Sequence, residues 1–166
     1  MLDDHPRDGA MNEAGITRMP TASAPPISRA KPQPALSVVV PCYNEAGALA
    51  ELYARMTKAA TAAVGDSYEF VLVDDGSRDG TWGAIASLAA TDPHIVGVRL
   101  SRNYGQQLAL SAGLRECRGA LVFIIDADMQ DPPELLPEMM KVIEQGADVV
   151  YGQRVSRGEE PWLRKA

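Results

Sequence analysis

Leu121-Val122-Phe123-Ile124-Ile125-Asp126-Ala127-Asp128-Met129-Gln130-Asp131-Pro132-Pro133-Glu134 is the stretch whose reading decides the fold. Its five consecutive apolar residues, Leu121 to Ile125, read as a central strand buried on both faces, as in a parallel sheet. Asp126 and Asp128 follow at once. In an extended backbone, side chains two apart share a side, so both acids can approach one cation. Asp131, Pro132-Pro133 and Glu134 then supply a capping acid, first-turn prolines and a glutamate three residues on, which predicts a helix from Pro133 to about Gln145. A strand thereby delivers two carboxylates to the carboxyl edge of a sheet, where open α/β folds bind ligands.

Outward from that stretch the same grammar repeats. Leu36 to Val40, Tyr68 to Val73, Ile95 to Leu100 and Asp148 to Tyr151 read as further strands. Between them lie helical patterns. Leu49, Leu52, Tyr53, Met56, Ala60 and Val64 mark one buried face, Thr81 to about Ala90 a second helix, and Gln106 to Arg118 a third that buries Leu110, Leu114 and Cys117. Asn44 is expected to cap the first helix and Asp79 the second. Alternation of this kind makes a parallel sheet with crossover helices. The polar clusters 41–45, 74–81, 101–105, 126–131 and 152–157 each follow a strand, so all five are expected on one edge.

The chain has 166 residues, a formal charge of -6 and 46% hydrophobic residues, which fits an α/β domain. Residues 1–34 hold six of the twelve prolines and read as a disordered tail, leaving a domain over 35–166. An acidic body argues against nucleic-acid binding, because phosphate backbones need clustered Lys and Arg. The end is locally basic: Arg154, Arg157, Arg164 and Lys165 could meet a phosphorylated ligand or an anionic membrane surface. Cys42 and Cys117 have neither zinc nor disulfide spacing, which favours a reducing, cytoplasmic setting. The sequence holds no run of 18 apolar residues that could span a bilayer, and Met1 to Pro34 is not a secretory signal.

Asp74, Asp75, Asp126 and Asp128 would converge on that edge, where like charges repel unless a cation lies between them. Oxygen donors without His or Cys favour Mg2+ or Mn2+ over zinc, and such an ion shares its shell between carboxylates and a substrate diphosphate. Asp75, Ser77, Asp79 and Gly80 match the first half of a calcium loop, but Ala86 stands where its bidentate Glu is required. No GxxxxGK[ST] or strand-linked GxGxxG is present, and His94 reads as structural.

The ordered set resembles a known family. Val38-Val39-Val40-Pro41 with Tyr43-Asn44-Glu45, Val73-Asp74-Asp75-Gly76-Ser77 with Asp79-Gly80-Thr81, Ser101-Arg102-Asn103-Tyr104-Gly105, Asp126-Ala127-Asp128 with Gln130-Asp131-Pro132-Pro133-Glu134, and Tyr151-Gly152-Gln153-Arg154 look like a family 2 glycosyltransferase of the GT-A fold. They are most similar to its polyprenyl-phosphate, dolichyl-phosphate mannose synthase-like branch. The resemblance implies a Rossmann-like, mostly parallel sheet with helices on both faces. It implies transfer, with inversion, of a sugar from a UDP- or GDP-sugar to a polyprenyl phosphate at the cytoplasmic face of a membrane.

Residue by residue, the resemblance gives the base and ribose to Pro41, Tyr43, Glu45 and Asp74, with Asp75 close by and Arg102 and Asn103 bordering the site. It gives the Mg2+ or Mn2+ on the donor diphosphate to Asp126, Asp128 and Gln130. Arg154, with Arg157 and Arg164, falls on the acceptor phosphate or leaving diphosphate, and Asp128 and Arg154 are the catalytic pair. Gln106 stands where relatives often carry a basic residue. Members of the branch usually continue further, so the domain is expected to be incomplete at its carboxyl end. The competing expectations are a non-catalytic nucleotide-binding or membrane-recruitment fragment and, ranked last, a nucleotidyltransferase, which lacks its glycine-rich basic loop here.

Overall fold

A computed structural model describes residues 33–153 and the backbone of 163–165. Strands β1 (Leu36–Cys42), β2 (Tyr68–Asp74), β3 (Ile95–Arg99) and β4 (Leu121–Ile124) form one parallel sheet in the order β3-β2-β1-β4. Helices α1 (Leu49–Val64), α2 (Thr81–Thr91), α3 (Gln106–Glu116) and α4 (Leu136–Glu144) make the connections, with a 3-10 turn at Pro133–Leu135 ahead of α4. Because these four strands are parallel, the loops 41–45, 74–81, 101–105 and 126–131 all leave the same edge. The mixed α/β fold expected from the sequence is the one found.

Pleating divides the core in two. Leu36, Val38, Val40, Phe70 and Leu72 face α1, α2 and α4 with Leu49, Leu52, Met56, Ile85 and Leu136. Val39, Val71 and Val73 face α3 and meet Ala109. A fully buried Val or Leu contributes about 1.5–3 kcal/mol by leaving water. The third helix was expected to bury Leu114, yet Leu114 is exposed while Ala109 and Gly113 are buried. Close approach is the reason: a Cβ on Gly113 would lie 2.5 Å from Val39 Cγ1, so only small residues fit beneath α3.

Two strand expectations are corrected. β4 is an edge strand rather than a central one, and Val122 and Ile124 are 44% and 48% exposed. Both align with Ser37 and Val39 on the α3 side, where α3 packs mainly over β1 and β2. The strand at Asp148–Tyr151 is instead β5 (Val150–Gly152), which pairs antiparallel with β6 (Leu163–Lys165) in a separate ribbon. A three-residue apolar run carries too little pattern to declare its partner.

Capping was also misassigned. Ala48, not Asn44, precedes α1, and no side chain caps it. After β4 the helical stretch opens at Pro133 as expected, but its first turn is 3-10 with Pro132 at the N-cap, and the α-helix proper begins at Leu136. Glu134 makes a bidentate ion pair with Arg55 of α1, both bonds 2.7 Å. At the far edge of the sheet, buried Glu69 accepts from Ser37 Oγ, the Arg118 backbone N–H and the Arg118 guanidinium. Burial pushes Glu69 up, but these donors and the arginine charge outweigh it and hold the carboxyl below its ordinary range. His94 stacks on Tyr68 at 4.4 Å and its Nδ1 lies 2.7 Å from Asp92 Oδ1. The expected tail at 1–34 lies, but for its last two residues, outside the described residues.

Candidate active site

At the carboxyl edge the loops after β1 and β2 are laced together. The Asn44 N–H donates to Ser77 Oγ, and Asn44 Oδ1 accepts from the Arg78 N–H, both at 2.9 Å. Asn44 adopts φ 58°, a left-handed conformation that asparagine tolerates. The Glu45 N–H reaches Thr81 Oγ1 at 2.8 Å, and the Ala46 N–H reaches Asp79 Oδ2 at 3.2 Å. Asp79 Oδ1 also accepts from the Thr81 N–H at 2.9 Å, which ties the start of α2 to the first loop, but the N-cap is Gly80 rather than the expected Asp79. Tyr43 and Glu45 therefore sit on a fastened turn.

The second wall is the loop 101–105. Asp75, 3% exposed, accepts the Tyr104 N–H on Oδ1 at 2.8 Å and the Gly105 N–H on Oδ2 at 2.9 Å. Gly76 packs against the same loop so closely that a Cβ would lie 2.3 Å from the Arg102 carbonyl carbon. Its φ of 66° is a further reason for glycine.

β4 delivers the third wall. The Ile125 N–H still bonds to Val39 O at 3.2 Å, so pairing outlasts the strand by a residue. Ile125 and Ala127 belong to the core, and Asp126, Ala127 and Asp128 line the cavity where the chain leaves the strand and enters a turn. Met129 then reverses the chain at φ 62°, which brings the Gln130 N–H 3.0 Å from Asp128 Oδ1.

These walls enclose an open cavity of about 290 Å3. Pro41, Tyr43, Glu45, Asp75, Asp126 and Asp128 line it, as the sequence implied. Asp74 lies outside the lining, fully buried, with Oδ1 accepting the Ser77 N–H at 3.0 Å. Its Oδ2 makes no hydrogen bond; Arg99 Nε is 3.5 Å away but lacks the geometry of one. Arg102 also lies outside the lining, its guanidinium 4.8 Å from the Tyr104 ring centre, and its neighbour Asn103 takes its place. Gln130 does not line the cavity either. Arg154 and Arg157 lie outside the described residues, as does the side chain of Arg164.

The sequence reading singled out Gln106 but missed its partner, and it missed Cys42's place in the lining. Gln106, the first residue of α3, lines the cavity and donates from Nε2 to Asp126 Oδ1 at 2.7 Å. No local signal marks the pairing, because it depends on how α3 meets β4. Cys42 forms part of the lining. Burial first, then the charges of Glu45 and Asp74, push its thiol up to about 12. It therefore stays protonated near neutral pH and is neither nucleophile nor thiolate ligand. The donors left for a cation are hard carboxylate oxygens, which suits Mg2+ or Mn2+.

Comparison with known proteins agrees with this geometry. A relative from Pseudomonas syringae pv. syringae, an undecaprenyl-phosphate 4-deoxy-4-formamido-L-arabinose transferase, is 44% identical over 137 residues, 81% of this chain and 40% of its own length. A transferase of the same name from Shewanella sediminis is 47% identical over 130 residues, 78% of this chain and 39% of its own. The chain thus spans about two fifths of the length of the curated relatives it matches. Among solved structures, a mannosyltransferase from Pyrobaculum calidifontis, in complex with GDP-Man and Mn2+, superposes with a TM-score of 0.56 at 31% identity. That match covers 72% of this chain and 34% of the other. The family model described as glycosyl transferase family 2 matches residues 37–166, and the chain belongs to that family.

Proposed function

We propose that these residues form the donor site of an inverting, metal-dependent glycosyltransferase that moves a sugar from a UDP- or GDP-sugar to a polyprenyl phosphate. The observation that carries the reading is the pairing of Asp126 and Asp128 on one cavity beside Tyr43 and Glu45. The relatives' names specify a polyprenyl-phosphate acceptor, and the Pyrobaculum structure holds a nucleotide sugar with Mn2+.

In this reading Asp126 and Asp128 would hold the cation on the donor diphosphate. When bound, the ion supplies Lewis-acid stabilisation to the departing diphosphate. Pro41, Tyr43 and Glu45 bind the nucleoside. Buried Asp74 supports this wall from behind, its Oδ1 accepting the Ser77 N–H and its Oδ2 lying 3.5 Å from Arg99 Nε. A phosphate monoester has a second pKa of about 6, so the acceptor is ionised near neutral pH and needs no strong general base. Arg154, Arg157 and Arg164 offset the repulsion between the two anions. A lipid acceptor places the reaction at a membrane surface.

The test is transfer of radiolabelled sugar from a panel of UDP- and GDP-sugars to undecaprenyl phosphate in detergent. Asp128→Ala is expected to abolish transfer while circular dichroism stays unchanged. Turnover retained in the Asp126/Asp128 double alanine variant would overturn the proposal. Mn2+-dependent nucleotide binding without transfer to any lipid acceptor would favour the non-catalytic reading instead.

A further inference from the structure

We infer that Gln106 is a positioning residue for Asp126, and that Asp75 serves the same acid at one remove by fixing the loop that presents Gln106. This rests on the reading of Asp126 as a cation ligand. Asp126 lies beyond the end of β4, where the strand ladder no longer holds the backbone. What orients its carboxylate is the Gln106 Nε2 donor on Oδ1 at 2.7 Å. Asp128 is held in the corresponding way, with Oδ1 accepting the Gln130 N–H at 3.0 Å. Each acid is thus aligned through one oxygen by an uncharged donor. A carboxamide orients a carboxylate without neutralising it.

Gln106 gains its position from Asp75. It is the first residue of α3, immediately after Gly105, whose carbonyl accepts the Leu108 and Ala109 N–H groups. The Gly105 and Tyr104 N–H groups both end on the Asp75 carboxylate. Asp75 is buried and both of its oxygens already carry backbone amides. The geometry therefore makes it a support of the cavity wall rather than a ligand of the donor. Gln106 is exposed, so its loss leaves the core intact.

Two measurements decide the matter. In ligand-free protein, the Gln106 side-chain amide resonances are expected to shift on Asp126→Ala, and Asp75→Asn to reproduce that shift. Resonances indifferent to both substitutions would overturn the inference. Calorimetry with Mn2+ and UDP or GDP forms the second arm. Gln106→Ala is expected to weaken metal-dependent nucleotide binding by about tenfold or more, the usual effect of losing a ligand's supporting hydrogen bond. Gln106→Leu, which also lacks the donor, should weaken it alike, with the thermal midpoint unchanged in both. Parental affinity in both variants would overturn the inference alone. A parent protein that binds no nucleotide with Mn2+ would overturn the functional reading as well.

Discussion

Single side chains set the cavity's shape through contacts that local sequence does not announce. Gly76 shows this most sharply, because two independent constraints meet there: φ 66° and a backbone neighbour 2.3 Å from any added Cβ. Gly76→Ala is expected to cost about 1–3 kcal/mol, the usual range for an overpacked contact, with strain at positive φ adding to it. A urea midpoint should show the loss. Parental stability would mean that the loop 101–105 yields freely. Some roles were legible in advance. Asp126 and Asp128 were expected beside one another at the sheet edge, and both line the cavity, although Ala127 and Asp128 form a turn rather than the extended run expected. The partners of Asn44, Asp75 and Glu134 were not legible, because each bonds across 29 to 79 positions of sequence. Propensity rules for caps see only the adjacent turn.

Elements were readable where periodicity is long. The four helices and four parallel strands fall close to their expected spans, and the sheet's polar edge follows from them. β4 was misjudged because five apolar residues look the same whether one face or two are covered. The segment after β4 is fastened to α1 by the Arg55–Glu134 pair, not by a cap. The hydrogen bond from Arg55 first, despite slight burial, holds the Glu134 carboxyl at about 2, below its ordinary 4.5. A carboxyl depressed in the folded state adds stability above its unfolded pKa and loses it as pH falls through the folded one. The thermal midpoint of Glu134→Gln should therefore lie below the parent's at pH 7, with the gap closing between about pH 4.5 and 2. Because Glu134's side chain is 55% exposed, the effect should be small and shrink in high salt. A gap that persists at pH 2 would assign it to packing.

Taken whole, the described domain is a scaffold that brings the ends of three strands and the start of α3 around one oxygen-rich cavity. Family membership agrees with the chemistry that the edge can support. Among the described residues no helix is long and apolar enough to cross a membrane. The account stands or falls on whether Asp126 and Asp128 together carry a cation that holds a nucleoside diphosphate. Thermal denaturation of the parent and of the Asp126→Asn/Asp128→Asn double variant, each with UDP or GDP and with or without Mn2+, measures this directly. Ligand at about 100-fold over its dissociation constant adds about 2.7 kcal/mol to a folded state that binds it. The parent should gain a stabilisation that requires both nucleotide and Mn2+, and the double variant should lose it. An equal Mn2+-dependent gain in the double variant would contradict the account.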